Sequence, residues 1–275
     1  MANHPHILAV FKDADKAKAF YMEVEKKLTD SIKRLLGVRR LNLWRDSPRV
    51  IEIADKASAI KMIAYYYANP AAANLVSTIE NYPGLSSWHD FLKNTNLLAA
   101  KVTHKRPWIR LPSIQKLPNR GVTEKQDTFL TERLQSDNKE TQTLEIFPNA
   151  WMKCFGVQSD LEVQQINHAI ICKVRHNEDV CRRWRQRQGK NIMGASKLSA
   201  QPMMAHHIPR KEGRRIFCIA STKELRIKLV VEFQAFCREC ARCFRQWRSG
   251  QVLVPWPPGA FLPPIPPRSN AINYS

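Results

Sequence analysis

Two long stretches carry apolar residues at helical spacing, and they decide what most of this chain can become. Within 14–36, Phe20, Val24, Leu28, Ile32 and Leu36 recur every four residues. An α-helix turns by about 100° per residue, so these five fall on one stripe. Gly37 follows, the residue type that commonly ends a helix. Within 223–248, Leu229, Phe233, Phe236, Cys240, Phe244 and Trp247 make one apolar face, and Arg238, Arg242, Arg245 and Arg248 line another. Stretches 56–68 and 158–188 read as two more helices. Pro70 is expected to stop the first of them, because the residue before a proline disfavours the helical region. A further short helix is expected over 71–80.

The intervening segments look extended or irregular. Residues 6–12, HILAVFK, read as a short buried strand, and 40–54 as two strands that turn at Asp46-Ser47-Pro48. Residues 101–150 are polar and punctuated by Pro107, Pro112, Pro118 and Pro148, which suits a linker with one helix near 123–135. The tail PWPPGAFLPPIPPRSN is expected to run extended over the surface. No run of about 18 apolar residues occurs, so no membrane span is expected. The N-terminus does not read as a signal peptide. Seven cysteines, none in the first 153 residues, do not make a secreted disulfide framework. A reducing cytoplasm is the expected compartment.

Charge narrows the partners. Lys and Arg total 44 against 24 Asp and Glu, a net +20. Residues 173–248 hold 19 of those cations and 6 of the anions, so about a quarter of the chain carries +13 of the excess. That is the footprint expected of a surface for a phosphate backbone. Arg182, Arg183, Arg185 and Arg187 are the densest part of it and the expected nucleic-acid contacts.

The residues fit for chemistry lie near the N-terminus. In Asn3-His4-Pro5-His6 the two histidines alternate, so on a strand both imidazoles would face one side. Two imidazoles make a partial site for a divalent metal. In IAYYYANPAAANLV, Tyr65 and Asn69 stand four apart on one helical face, with Tyr66 turned about a hundred degrees away. Met-x-Asn-His-x-His, then Tyr-x-x-x-Asn-Pro, Leu-Val and YPGLSSW at 82–88, in that order, resemble the HUH single-tyrosine transposases, in their REP-associated branch. The likeness covers roughly 1–110, and CRRWRQRQGKNIMGASKL and KEGRRIF resemble, less specifically, C-terminal regions of the family.

That resemblance implies a role for each matching residue. Tyr65 would be the nucleophile that leaves a 5′-phosphotyrosine. His4, His6 and Asn69 would hold a Mg²⁺ or Mn²⁺ ion. The partner would be DNA, single-stranded or hairpin, with monomer and dimer both open. The implied fold is α+β: an incomplete ferredoxin-like nuclease domain over 1–100, a linker over 101–157, and a basic helical domain over 158–275. The family's sheet begins before the histidine pair, so the chain reads as N-terminally truncated. A catalytically inactive, transposase-derived nucleic-acid-binding protein is the alternative. Two lesser candidates remain. Cys237, Cys240 and Cys243 have zinc-like spacing, with His206 and His207 as possible partners, although helical burial explains them as well. Trp184, Trp247 and Trp256 lie near basic residues and could stack on bases or simply pack.

Overall fold

The computed structural model describes residues 5–36, 38–44, 49–93, 96–109, 139–201, 216–251 and 253–263. It is a mixed helical and strand protein dominated by helices. In chain order the elements are α1 (Ala14–Leu36), β1 (Glu52–Ile53), α2 (Lys56–Ala72), α3 (Trp88–Lys93), β2 (Val102–Ile109), β3 (Lys139–Ile146), α4 (Asp160–Arg187), α5 (Ala195–Ser199), β4 (Cys218–Ile219) and α6 (Lys223–Arg248). Strands β2 and β3 pair with each other, and β1 pairs in parallel with β4. The segment 101–150, expected to be linker, therefore carries two strands. The helix expected near 123–135 and the turn at 46–48 lie outside the described residues.

Two compact units make up the chain, each assembled from three separated segments. The first comprises Met1–Val10, Ile51–His104 and Leu144–Arg226; the second comprises Phe11–Val50, Lys105–Thr143 and Ile227–Ser275.

The first unit is built on α2 and α4. Asp55 caps α2 by accepting a hydrogen bond from the Ser58 amide at 2.8 Å, and Ser159 caps α4 by accepting one from Glu162 at 3.2 Å. Lys56 meets Glu162 at one end, and Arg185 reaches the Ala71 carbonyl at the other, so the helices run in the same sense. Ala64, Ala68 and Ala71 are buried on α2, and Val163, Ile166, Ile170 and Val174 on α4. Small residues on one helix let the branched residues of the other approach closely. Ala59, Ile63 and Ala64 of α2 form one apolar cluster with these four residues of α4 and with Trp88, Phe91, Trp151 and Met152.

Three local expectations need correction. Pro70 does not stop α2; it is buried inside the last turn, and the helix runs to Ala72. Proline forfeits only its own amide bond, and the carbonyls of Asn69 and Pro70 still accept from Ala73 at 2.9 Å and Leu75 at 3.0 Å. Helix 71–80 is replaced by a turn at Asn74, whose φ is 59°, and a 3-10 turn at Ile79–Asn81. Asparagine is among the few residues that tolerate that left-handed backbone. Finally, the described part of 6–12 carries no strand ladder. His6 and Leu8 are half-buried while Ile7 and Ala9 are exposed, so the alternation survives without the sheet. Pro5 has no amide hydrogen to give a ladder there.

In the second unit, the segment 253–263 lies along the start of α1. The Gly259 amide donates to Asp15 Oδ1 at 2.9 Å and Lys18 Nζ to the Ala260 carbonyl at 2.7 Å. Gly259 has φ +83°, and a Cβ there would stand 2.8 Å from that of Ala14. The Asp15 carboxyl is held below its ordinary value, first by the Gly259 amide and then by Lys18. The proline-rich tail is thus docked over these residues.

Candidate active site

The second half of α2 presents three consecutive tyrosines in three different settings. Tyr67 packs edge-on to Trp88, with ring centroids 4.9 Å apart, and its hydroxyl lies 3.0 Å from Ser87 Oγ. Tyr66 stacks on His6 at 4.8 Å with the rings 25° apart. Burial pushes both phenols up, so neither ionises easily. Tyr65 is 46% exposed, and its ring meets the edge of His6 at 6.2 Å. Of the three hydroxyls, that of Tyr65 belongs to the most open residue.

His6 is held from two sides. Tyr66 covers one face of the imidazole, and Asn69 Nδ2 donates to Nε2 at 3.0 Å. That bond leaves the ring proton on Nδ1 and a lone pair on Nε2. Asn69 is buried beside the ring. So the chain brings His6, Tyr65 and Asn69 into one group, with His6 and Asn69 coming from positions 63 residues apart. His4 lies outside the described residues. The stacking role of Tyr66 is not readable from helical spacing, which turns it away from the Tyr65–Asn69 face. Its only signal is the adjacent aromatic run.

The donor set can be tested for a metal. Turning the Asn69 amide would put Oδ1 where Nδ2 stands, about 3 Å from the imidazole lone pair. Adjacent corners of an octahedron with bonds of about 2.1 Å are separated by about 3 Å. One imidazole and one amide oxygen at that spacing fit two neighbouring positions around a Mg²⁺ or Mn²⁺ ion. Among the described residues, no group of three His, Cys, Asp or Glu side chains forms a metal cage.

The basic residues of α4 divide by burial. Arg185 is buried, and its Nη1 donates to the Ala71 carbonyl at 2.7 Å. It closes the end of α2 and is removed from any surface for phosphates. Arg182 and Arg183 are exposed and both pair with Asp179. Arg187 is exposed. Trp184 is 43% exposed and carries Lys190 Nζ 4.7 Å above its ring. Elsewhere on α4, Arg175 joins Glu80 and Glu178 and lies over Trp88, which itself donates to Glu80 at 2.7 Å. The Arg175 guanidinium pulls the Glu80 carboxyl down to about 2.

The three cysteines of α6 differ in burial: Cys237 is exposed and Cys240 half-buried. Cys243 is buried and its thiol donates to the Pro255 carbonyl at 3.4 Å. Burial pushes the Cys240 thiol up. His206 and His207 lie outside the described residues. Trp247 stacks on Phe244 at 5.7 Å.

Among the described residues, no helix is long and apolar enough to cross a membrane. Comparison with known proteins finds no matching family model, no matching curated protein and no matching solved structure.

Proposed function

We propose that this chain is a transposase-like DNA-processing protein that cuts and rejoins single-stranded DNA through Tyr65. It would be of the HUH single-tyrosine kind in the REP-associated branch, with a ferredoxin-like nuclease fold. The observation that carries this reading is the grouping of an exposed tyrosine with an imidazole and a buried amide drawn from a distant part of the chain. The Tyr65 phenol attacks a DNA phosphorus, and the bond to the 3′-oxygen breaks. The 3′-end leaves as a hydroxyl, and the 5′-phosphate stays on Tyr65. Attack by another 3′-hydroxyl reverses the step, so the phosphodiester is conserved. His6 and Asn69, with His4, would hold a Mg²⁺ or Mn²⁺ ion, which when bound supplies Lewis-acid polarisation of the scissile phosphate. Tyr66 orients the imidazole. Seven free cysteines fit a reducing cytoplasm as its place of action.

Incubation with a labelled single-stranded oligonucleotide and Mg²⁺ tests the reading. A covalent adduct should form with the native chain, survive Tyr67→Phe and Tyr66→Phe, and vanish in Tyr65→Phe and His6→Ala. An adduct that persists in Tyr65→Phe overturns the assignment. Among the described residues His6 lies on no strand ladder, which favours a second reading, a catalytically inactive nucleic-acid-binding descendant. That reading expects binding without an adduct.

A further inference from the structure

We propose that the C-terminal end of α4 is a stacking platform for single-stranded nucleic acid. Trp184 takes a base on its exposed ring, and Arg187 and Lys190 hold the flanking phosphates. This rests on the nucleic-acid part of the reading above and not on the cleavage step.

The argument begins with what the side chain leaves uncovered. Trp184 is 43% exposed at the end of a long helix whose other face is deeply buried. Lys190 stands over the ring by a cation–π contact at 4.7 Å, and the residue still keeps 43% of its surface open to a second partner. Arg187, three residues on, lies beside the ring on the same helical face. Arg182 and Arg183 are both tied to Asp179 instead. Among the described residues, Arg187 and Lys190 have no ion-pair partner. A flat π-surface ringed by cations selects a polyanion that itself presents flat π-faces. Unpaired bases do this and stacked duplex bases do not. Flanking cations take the backbone without regard to sequence.

The platform is also rigid. Arg185, next to Trp184 in the chain, is buried and bonded to the Ala71 carbonyl at 2.7 Å. The Lys190 amide folds back onto the Arg185 carbonyl at 3.0 Å. Met193 and Gly194 then donate to the carbonyls of Asn74 and Leu75 at 2.8 and 2.9 Å. The segment bearing Lys190 is therefore pinned to the turn that follows α2. Ala71 lies six residues beyond Tyr65, about 9 Å along the helix axis. A strand held on Trp184 is thus anchored to the same helix as the candidate nucleophile. Little ordering is needed on binding, which favours affinity.

The test uses the full chain and fluorescence anisotropy of labelled strands: a single-stranded DNA, the matching RNA, the same DNA with abasic sites throughout, and a duplex. Trp184→Ala should weaken binding of base-bearing strands about tenfold or more and leave the abasic strand unchanged. Trp184→Phe should retain most of the affinity. Arg187→Ala with Lys190→Ala should weaken base-bearing and abasic strands alike and flatten the salt dependence. The DNA and RNA arms tell which backbone the platform prefers. Because Trp184 is exposed, the melting temperature of each variant should match the native chain. Native-like binding of base-bearing strands by Trp184→Ala overturns the platform, as does an equal loss on the abasic strand. A native chain that binds no strand at all overturns both the platform and the nucleic-acid reading. Trp184-dependent binding with no adduct at Tyr65 leaves the platform standing and removes the cleavage reading alone.

Discussion

Helices α4 and α6 have 28 and 26 residues, and both mix apolar and basic positions, yet α4 buries Val163, Ile166, Asn167, Ile170, Val174, Glu178 and Arg185 while α6 buries Cys243. On α4 the apolar positions meet the alanines of α2. On α6, Ile227, Val231, Phe233 and Phe244 are all more than 40% exposed. The same inequality holds between the units. Among described apolar residues of the second unit, Cys243, Val254 and Ala260 are the buried ones. An amphipathic pattern states which face of a helix is apolar. It does not state that a neighbour exists to cover it.

The widest contrast should appear in the cores. Ile170→Ala removes a fully buried side chain and should cost about 2–5 kcal/mol. Ile227→Ala on α6 should stay within about 0.5 kcal/mol. Urea unfolding of the two variants measures both, and a large loss in Ile227→Ala would mean that the α6 face is covered in solution. The same split should divide two arginines of one helix turn. Arg185→Ala removes a buried, charge-assisted bond to the Ala71 carbonyl, which keeps the Asn74 amide at 3.1 Å, and should cost about 1–3 kcal/mol. Arg187→Ala should leave stability nearly unchanged and lower affinity for polyanions instead.

A smaller effect should follow pH. The Glu80 carboxyl lies at about 2, below its ordinary 4.5, because it is bonded to Arg175. Its contribution is therefore complete above about pH 4.5 and is lost as the pH falls toward 2. Glu80 is about a third exposed, so screening reduces the contribution to roughly 1–2 kcal/mol. Stability measured from pH 6 to 2 should fall less steeply in Glu80→Gln. The smallest change is expected at the docked tail. Gly259→Ala adds a Cβ against Ala14 in a left-handed conformation and should cost about 1 kcal/mol. Limited proteolysis should then cut 253–263 faster while the α2–α4 core stays resistant.

These differences also mark what could be read from the residues alone. The spans of α1, α4 and α6 follow from periodicity, since each is long enough for a face to repeat many times. The approach of Tyr65 and Asn69 follows from four-residue spacing in the same way. Arg185 was expected among the phosphate contacts because its neighbours Arg182, Arg183 and Arg187 are also cations. Only the position of Ala71, 114 residues earlier, gives it a different task. The strands β2 and β3 escaped notice because KETQTLEI has almost no apolar alternation, and each strand is sustained by its partner. Pro70 misled because the residue before a proline only disfavours the helical region, and a last turn whose carbonyls find other donors outweighs that preference.

The small parallel ladder between β1 and β4 bears on the order in which the chain acquires its shape. Asp55 at the start of α2 also accepts from the Ser221 amide, 166 residues away. Closing a loop of that length costs entropy before any bond repays it, and here the return is two residue pairs and one shared carboxylate. So meagre a return makes a poor nucleus. The ladder is expected to close after α2 and α4 have found each other, and hydrogen exchange should show 216–226 opening before the α2–α4 core.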